Sequence, residues 1–352
     1  MSKEKIYMRG AVLWQLGEPL TIEDAIEIPE LLEGQVLIKM YYSGVCRSQL
    51  MEARGLRGED KFLPHLSGHE GCGKVVKIGK SVTKVKEKDL VILGWIKSSG
   101  KDVQGAKYQC NGVEINSGPI TTFSEYTIVS ENRVSLLPNG VPKDVAVLFG
   151  CALPTGAGLV FNEISPRKGS SVAIIGLGGI GLSALMATNT FDCYPVIAID
   201  VSEEKLKMAK FFGASHVINS SNEDFVQKVY EITHNLGVDY SIESAGMVKT
   251  IESAFEIVKK NGGKCFFASH PAKDEMIKLD PHQLISGKGI QGTWGGGSKP
   301  DIDVPKLAKI YNQGKLPLEK LISKVYSLEE INQALDDLEN NKVFRPLISF
   351  NI

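Results

Sequence analysis

The sequence predicts an α/β fold in which a doubly wound parallel sheet is inserted into a β-rich domain that supplies both ends of the chain. Three observations predict it. Ser170 to Asp200 runs as strand, glycine-rich turn, helix and second strand. From about residue 153 to Trp294, apolar strands alternate with helical stretches. Before about residue 150 there are only β-leaning runs between Gly, Pro and charged turns, with no long helical period. The expected boundaries are 1–152 and 296–352 for the β-rich domain and 153–295 for the inserted unit.

Taken in order, Tyr7 to Trp14, Val36 to Val45, Gly73 to Ile78 and Leu90 to Trp95 read as strands of the first domain. Val172 to Ile175 is a short apolar run rich in β-branched residues, the mark of a strand covered on both faces. Val196 to Ile199 repeats it. Ser202 is a plausible N-cap for the next helix and Gly213 its terminator. His216 to Ile218, Val238 to Ile242 and Cys265 to Ala268 read as further strands, with helices over Glu223 to His234 and Val248 to Lys260. Beyond Trp294, Val304 to Gln313 and Leu328 to Asn340 are amphipathic helices, and Pro346 to Phe350 is a closing strand.

The turn after the first inserted strand is Gly176-Leu177-Gly178-Gly179-Ile180-Gly181. Gly176 permits the tight turn, Gly178 lets backbone N–H groups approach a pyrophosphate, and Gly181 lets helix and sheet pack closely. The helix start adds free N–H donors and partial positive charge. Asp200 ends the next strand, roughly 20 residues on, where an acid accepts from an adenosine ribose and repels a 2′-phosphate. The stretch predicts a Rossmann unit that binds NAD in preference to NADP.

Bulk composition excludes several classes. A net charge of −1 gives no general attraction to nucleic acid or to an anionic membrane. The polar start has no apolar core behind it, as a signal peptide would, and no apolar run is long enough to span a bilayer. Six scattered cysteines suit a reducing cytoplasm, where they serve as core residues or metal ligands. The expectation is a cytoplasmic protein acting on a small molecule.

Four stretches outside the Rossmann unit carry chemistry: Gly44-Val-Cys46-Arg-Ser48, Gly68-His69-Glu70-Gly71, Gly150-Cys151-Ala-Leu-Pro-Thr155-Gly156 and Trp294-Gly-Gly-Gly-Ser-Lys. Together, beside a dinucleotide fold, they resemble the zinc-dependent alcohol dehydrogenases of the medium-chain dehydrogenase/reductase superfamily, over nearly the whole chain. The resemblance implies a GroES-like first domain and a hydride transfer between NAD(H) and an alcohol or carbonyl. It also implies one catalytic zinc per chain. Cys46, His69 and Cys151 match the family's zinc ligands, which leave the fourth tetrahedral position open. Glu70 matches a carboxylate behind the metal that can enter its coordination. Ser48 matches the residue that takes the substrate hydroxyl proton by hydrogen bond. Thr155 and Ile180 match neighbours of the nicotinamide, Arg47 and Arg345 match pyrophosphate clamps, and Lys205 matches a residue near the adenosine ribose. A homodimer through the cofactor domain, or a tetramer, is the family's expectation.

The chain departs from the family pattern at three places. Met51 stands where a relay histidine belongs, and a thioether carries no proton. Gln49 replaces an aspartate that orients the zinc histidine, so it can accept a hydrogen bond but adds no charge. The region from Gly94 to Gly112, where many members hold a structural zinc on four cysteines, contains only Cys110. Trp95 matches a pocket-wall aromatic, and Asn116 lies near positions that are bulky and apolar in enzymes for simple alcohols. This leans towards a polyol, sugar or cyclitol. Two other readings are a zinc-independent quinone or enone reductase of the same superfamily, and an NAD(H)-binding protein without turnover.

Overall fold

The computed structural model describes residues 5–350. One unit runs to Cys151 and takes back Lys299–Asn312 and the chain from Leu318; the other holds Ala152–Ser298 and Gln313–Pro317.

In the first unit, Tyr7–Leu13, Thr21–Glu27, Lys107–Cys110, Val113–Asn116 and His65–Leu66 close into a small barrel around Met8, Ile26, Leu66, Tyr108 and Ile115. A seven-stranded sheet follows the order Val134–Leu136, Leu90–Gly94, Glu70–Ile78, Gln35–Gly44, Arg345–Ser349, Ile322–Tyr326, with Tyr126–Ser130 also paired to Gln35–Gly44. The central strand alternates little because both its faces are covered. Its carboxyl end is the important one. Ser43 lies opposite Gly71, and Gly44 lies opposite Leu347, so the start of one neighbour and the whole of another converge there.

The second unit is a six-stranded, all-parallel sheet. Its order is His216–Asn219, Val196–Asp200, Val172–Ile175, Tyr240–Glu243, Lys264–Phe267, Gly289–Gly292. Numbered within the unit this is 3-2-1-4-5-6, with the order reversing beside Val172–Ile175. Val172–Ile175 is buried at every position, as its composition requires.

Element ends moved for identifiable reasons. The helix expected from Glu223 begins at Phe225, because Asp224 caps it by accepting from the amides of Val226 and Gln227. It stops at Ile232, and His234 and Asn235 then adopt positive φ. The helix expected to reach Lys260 ends at Glu256, since Val258 bridges to Val238 and extends the sheet. The expected helix at Val304 starts earlier, at Pro300, whose ring suits a first helical position. Ser202 caps Glu203–Phe211 and Gly213 follows it at φ +97, as expected.

Candidate metal centre and dinucleotide loop

The convergent strand ends carry the first cluster. Cys46 lies two residues beyond Gln35–Gly44 and is the N-cap of the helix Arg47–Ala53. Glu70 opens Glu70–Ile78, His69 immediately precedes it, and Cys151 follows the turn Val147–Gly150. One ligand atom from each of Cys46, His69, Glu70 and Cys151 lies within 4.8 Å of all the others. His69 Nε2 is 3.2 Å from Cys151 Sγ. The corresponding edge of a zinc tetrahedron is about 3.6 Å, from Zn–S and Zn–N bonds of about 2.3 and 2.0 Å.

Glu70 is fully buried, and Arg345 Nη2 donates to its Oε1 in a short contact. Its Oε2 has no hydrogen-bond partner. Two glycines make room for it. A Cβ on Gly44 would sit 2.6 Å from the Glu70 carboxyl carbon, and one on Gly150 would sit 2.9 Å from Glu70 Cβ. An orphaned buried carboxylate oxygen beside two thiols and an imidazole fits a zinc ion.

Protonation in the cluster is shared. The Cys151 hydrogen bond holds the Cys46 thiol well below its ordinary range, and Cys151 is pushed well above its own by the same contact. Burial pulls the His69 imidazole down, but the Cys46 thiolate beside it outweighs burial and holds the ring above its usual value. Burial raises the Glu70 carboxyl in spite of Arg345. One thiolate and one thiol thus share a proton that a divalent cation replaces.

Gln49 supplies an unexpected contact. Its Oε1 accepts from the Cys46 amide at 2.9 Å, and its Nε2 donates to His69 Nδ1 in a short contact. An imidazole that gives Nε2 to a metal keeps its proton on Nδ1 and needs an acceptor there. Metal loading therefore requires this amide to turn its oxygen towards the ring. Ser48 Oγ lies 3.8 Å from Cys46 Sγ, so its hydroxyl stands beside the cluster, while Arg47 is exposed on the same turn. Trp95 is half-buried and its carbonyl accepts from Arg133. Asn116 Nδ2 donates to the Phe62 carbonyl at 2.9 Å.

In the second unit, Gly176 has φ +85, and a Cβ there would meet the Ala245 amide at 2.6 Å. A Cβ on Gly181 would lie 2.0 Å from the Gly176 carbonyl, which fixes the helix against the turn. Gly178 has nothing within 4 Å of its Cβ position and caps the helix Gly179–Asn189, leaving open space at the N-terminal amides. Ile180 is half-buried in that helix's first turn. Asp200 Oδ2 accepts from the Leu177 amide at 2.7 Å and Oδ1 from the Ser202 amide at 3.0 Å. Lys205 Nζ stands 4.0 Å from Oδ1, so the acid, a lysine and the glycine turn share one corner. Thr155 is buried in Ala152–Gly158.

Known proteins match this arrangement. Residues 32–139 match the alcohol dehydrogenase GroES-like domain and residues 179–312 the zinc-binding dehydrogenase domain. Alcohol dehydrogenase 1 of Pisum sativum is 30% identical over 97% of each chain. The chain belongs to the zinc-dependent alcohol dehydrogenases of the medium-chain dehydrogenase/reductase superfamily. Among solved structures, benzyl alcohol dehydrogenase from Acinetobacter calcoaceticus superposes on this alcohol dehydrogenase with a TM-score of 0.88 at 29% identity, covering 97% of this chain and 99% of that one. An alcohol dehydrogenase zinc-binding domain protein from Burkholderia ambifaria gives 0.90 at 28% identity, covering 98% and 99%. The protein is an alcohol-acting, zinc-binding oxidoreductase, which sets aside the readings without zinc or without turnover. No single described helix is long and apolar enough to cross a membrane.

Sequence reasoning missed the pairing that holds Glu70. Arg345, matched by resemblance to a pyrophosphate clamp, has its guanidinium on Glu70 with a side chain only 5% exposed. A signal was present, because an arginine inside the apolar strand Arg345–Ser349 demands a buried acid.

Proposed function

We propose that this dehydrogenase oxidises an alcohol carrying further hydroxyl groups, of the polyol, sugar or cyclitol class, with NAD as hydride acceptor. The carboxylate of Asp200 beside the glycine turn carries the cofactor half of this reading, since a 2′-phosphate there would meet a fixed negative charge. Zinc held by Cys46, His69 and Cys151 would supply a Lewis acid that polarises the reacting oxygen and lowers a hydroxyl pKa from ~16 towards ~7. Ser48 accepts the substrate hydroxyl proton by hydrogen bond, and Met51 leaves that proton to water. Arg345 opposes the burial that raises the Glu70 carboxyl, and Glu70 would serve as a reserve ligand. The open amides of Gly179 and Ile180 would hold the pyrophosphate, Lys205 the ribose, and Thr155 the nicotinamide. Trp95 and Asn116 line the alcohol pocket. The free edge of Gly289–Gly292 in its sheet supports a homodimer formed through the cofactor unit.

An aromatic alcohol is the second reading, favoured by the likeness to the Acinetobacter enzyme and by the Phe62 carbonyl that already engages the Asn116 amide. A panel of polyols, cyclitols, linear alcohols and benzyl alcohol, followed by NADH absorbance, separates the two. The highest kcat/KM on a polyhydroxylated substrate is expected. A preference for benzyl alcohol would overturn the polyol reading, and equal rates with NADP would overturn the cofactor reading.

A further inference from the structure

A second group of ligating side chains lies apart from the catalytic cluster. Glu52, Asp60 and His65 each bring one ligand atom to within 4.8 Å of the other two. Among the described residues, these three and the catalytic four are the two such groups. Glu52 is a half-buried residue of the helix Arg47–Ala53, whose Gln49, Leu50 and Ala53 are buried. Asp60 lies in the loop that follows, its Oδ1 accepting from the Phe62 amide at 2.8 Å. His65 opens the short barrel strand His65–Leu66 and is 6% exposed.

His65 is oriented as a ligand. Its Nδ1 meets the Leu66 carbonyl at 2.9 Å, which fixes a proton on that nitrogen. Its Nε2 then faces Asp60 Oδ2 at 2.8 Å. Without a second proton or a cation at Nε2, a lone pair would face a carboxylate. A ring N–H held by a backbone carbonyl is the support that metal-ligating histidines have. Glu52 is the independent sign. Its carboxylate has no hydrogen bond or ion pair among the described residues, yet it is half-buried and turned towards another carboxylate. The imidazole offers one nitrogen to two carboxylates, and a divalent cation would balance both negative charges.

We propose that Glu52, Asp60 and His65 form a second, exchangeable metal site that takes a divalent cation of the manganese–zinc class. One imidazole and two carboxylates suit that class, and solvent completes the coordination. The site lacks thiolates, so it holds its ion less tightly than the Cys46–Cys151 cluster.

The test uses zinc-loaded enzyme dialysed against chelator, titrated with Mn²⁺ and followed by the six-line spectrum of the free ion. The thiolates of the first site already hold zinc and do not favour Mn²⁺. Disappearance of one equivalent of free signal per chain is expected, reversed by added Zn²⁺. Glu52→Gln and Asp60→Asn preserve shape and should each abolish the uptake, with zinc content unchanged. A free-ion signal at full intensity in the wild type, with Asp60 and His65 acting as an ion pair only, would overturn the proposal. So would uptake that survives both substitutions.

Discussion

Arg345 and Glu70 form an ion pair with exposures of 5% and 0%, set directly behind two thiol ligands. Removing one partner of such a pair leaves an uncompensated buried charge, which costs about 3–5 kcal/mol. Arg345→Met should therefore lower unfolding stability by that order in urea denaturation, and Glu70 should take up a proton. A loss below about 1 kcal/mol would mean that the pair was already neutral. Gln49 gives the opposite kind of prediction. With its amide donating to His69 Nδ1, it opposes the tautomer that frees Nε2 for a metal. Gln49→Asp would place an acceptor there, and orienting partners of this type change metal affinity about 10–100-fold. The variant should release zinc to a chelator at least about tenfold more slowly. Equal or faster release would show that the amide turns freely. The glycine turn and the cysteine, histidine and acid ligands were legible in the sequence, because they sit in short local motifs. The Arg345–Glu70 and Gln49–His69 contacts were less so, since they depend on which strand ends the sheet brings together.

The lobe from Gly94 to Gly112 is tied down by side-chain carboxylates that accept from backbone amides and pair with lysines. The carboxylate of Glu131 accepts from the amides of Thr83, Lys84 and Lys101, at 3.0, 3.3 and 2.9 Å. Asp301 accepts from Ser99 and pairs with Lys84, while Asp102 pairs with Lys97 and accepts from Asn132. Cys110, the lobe's single thiol, donates to Glu23 instead. Burial would raise Glu131, but three amide donors outweigh it and hold the group below its ordinary range. Since the folded value is depressed, this support is present above the unfolded carboxylate range and lost as the pH falls through the folded value. The protection of the Thr83, Lys84 and Lys101 amides, relative to the intrinsic exchange rate at each pH, should fall in acid before global unfolding, and Glu131→Gln should lower it at neutral pH. Unchanged protection in that variant would place the lobe's anchor elsewhere. After dialysis against chelator the enzyme should retain one zinc per chain, with none on Cys110. Two strands at the end of this lobe were not legible, because Lys107–Cys110 and Val113–Asn116 are only four residues long, too short for a period to stand out. Thr21–Glu27 is longer, but three acidic residues in seven hid it.

Across the whole molecule, the division of labour was legible before the details were. The βα rhythm located the parallel sheet, whose strands are continuous apolar runs, whereas the barrel strands draw their stability from closure and not from composition. The chain's return to the second unit at Gln313–Pro317 had no sequence signal, being a short polar stretch between two elements of the first. The division has a functional consequence. Cys46, His69, Glu70, Cys151, Gln49 and Arg345 all belong to the first unit, and the glycine turn with Asp200 belongs to the second. The two sites should therefore fail independently. Cys46→Ser breaks the ligand set, so zinc content and turnover should fall together while NADH, followed by its fluorescence, binds as before. Asp200→Gly removes the charge that opposes a 2′-phosphate and leaves the thiols untouched. Its zinc content should match the wild type, and its preference for NAD over NADP should narrow by at least about tenfold, or ~1.4 kcal/mol. Loss of NADH binding in Cys46→Ser, or loss of zinc in Asp200→Gly, would show that the units are coupled. An unchanged cofactor preference in the second variant would show that Asp200 serves only the Leu177 and Ser202 amides.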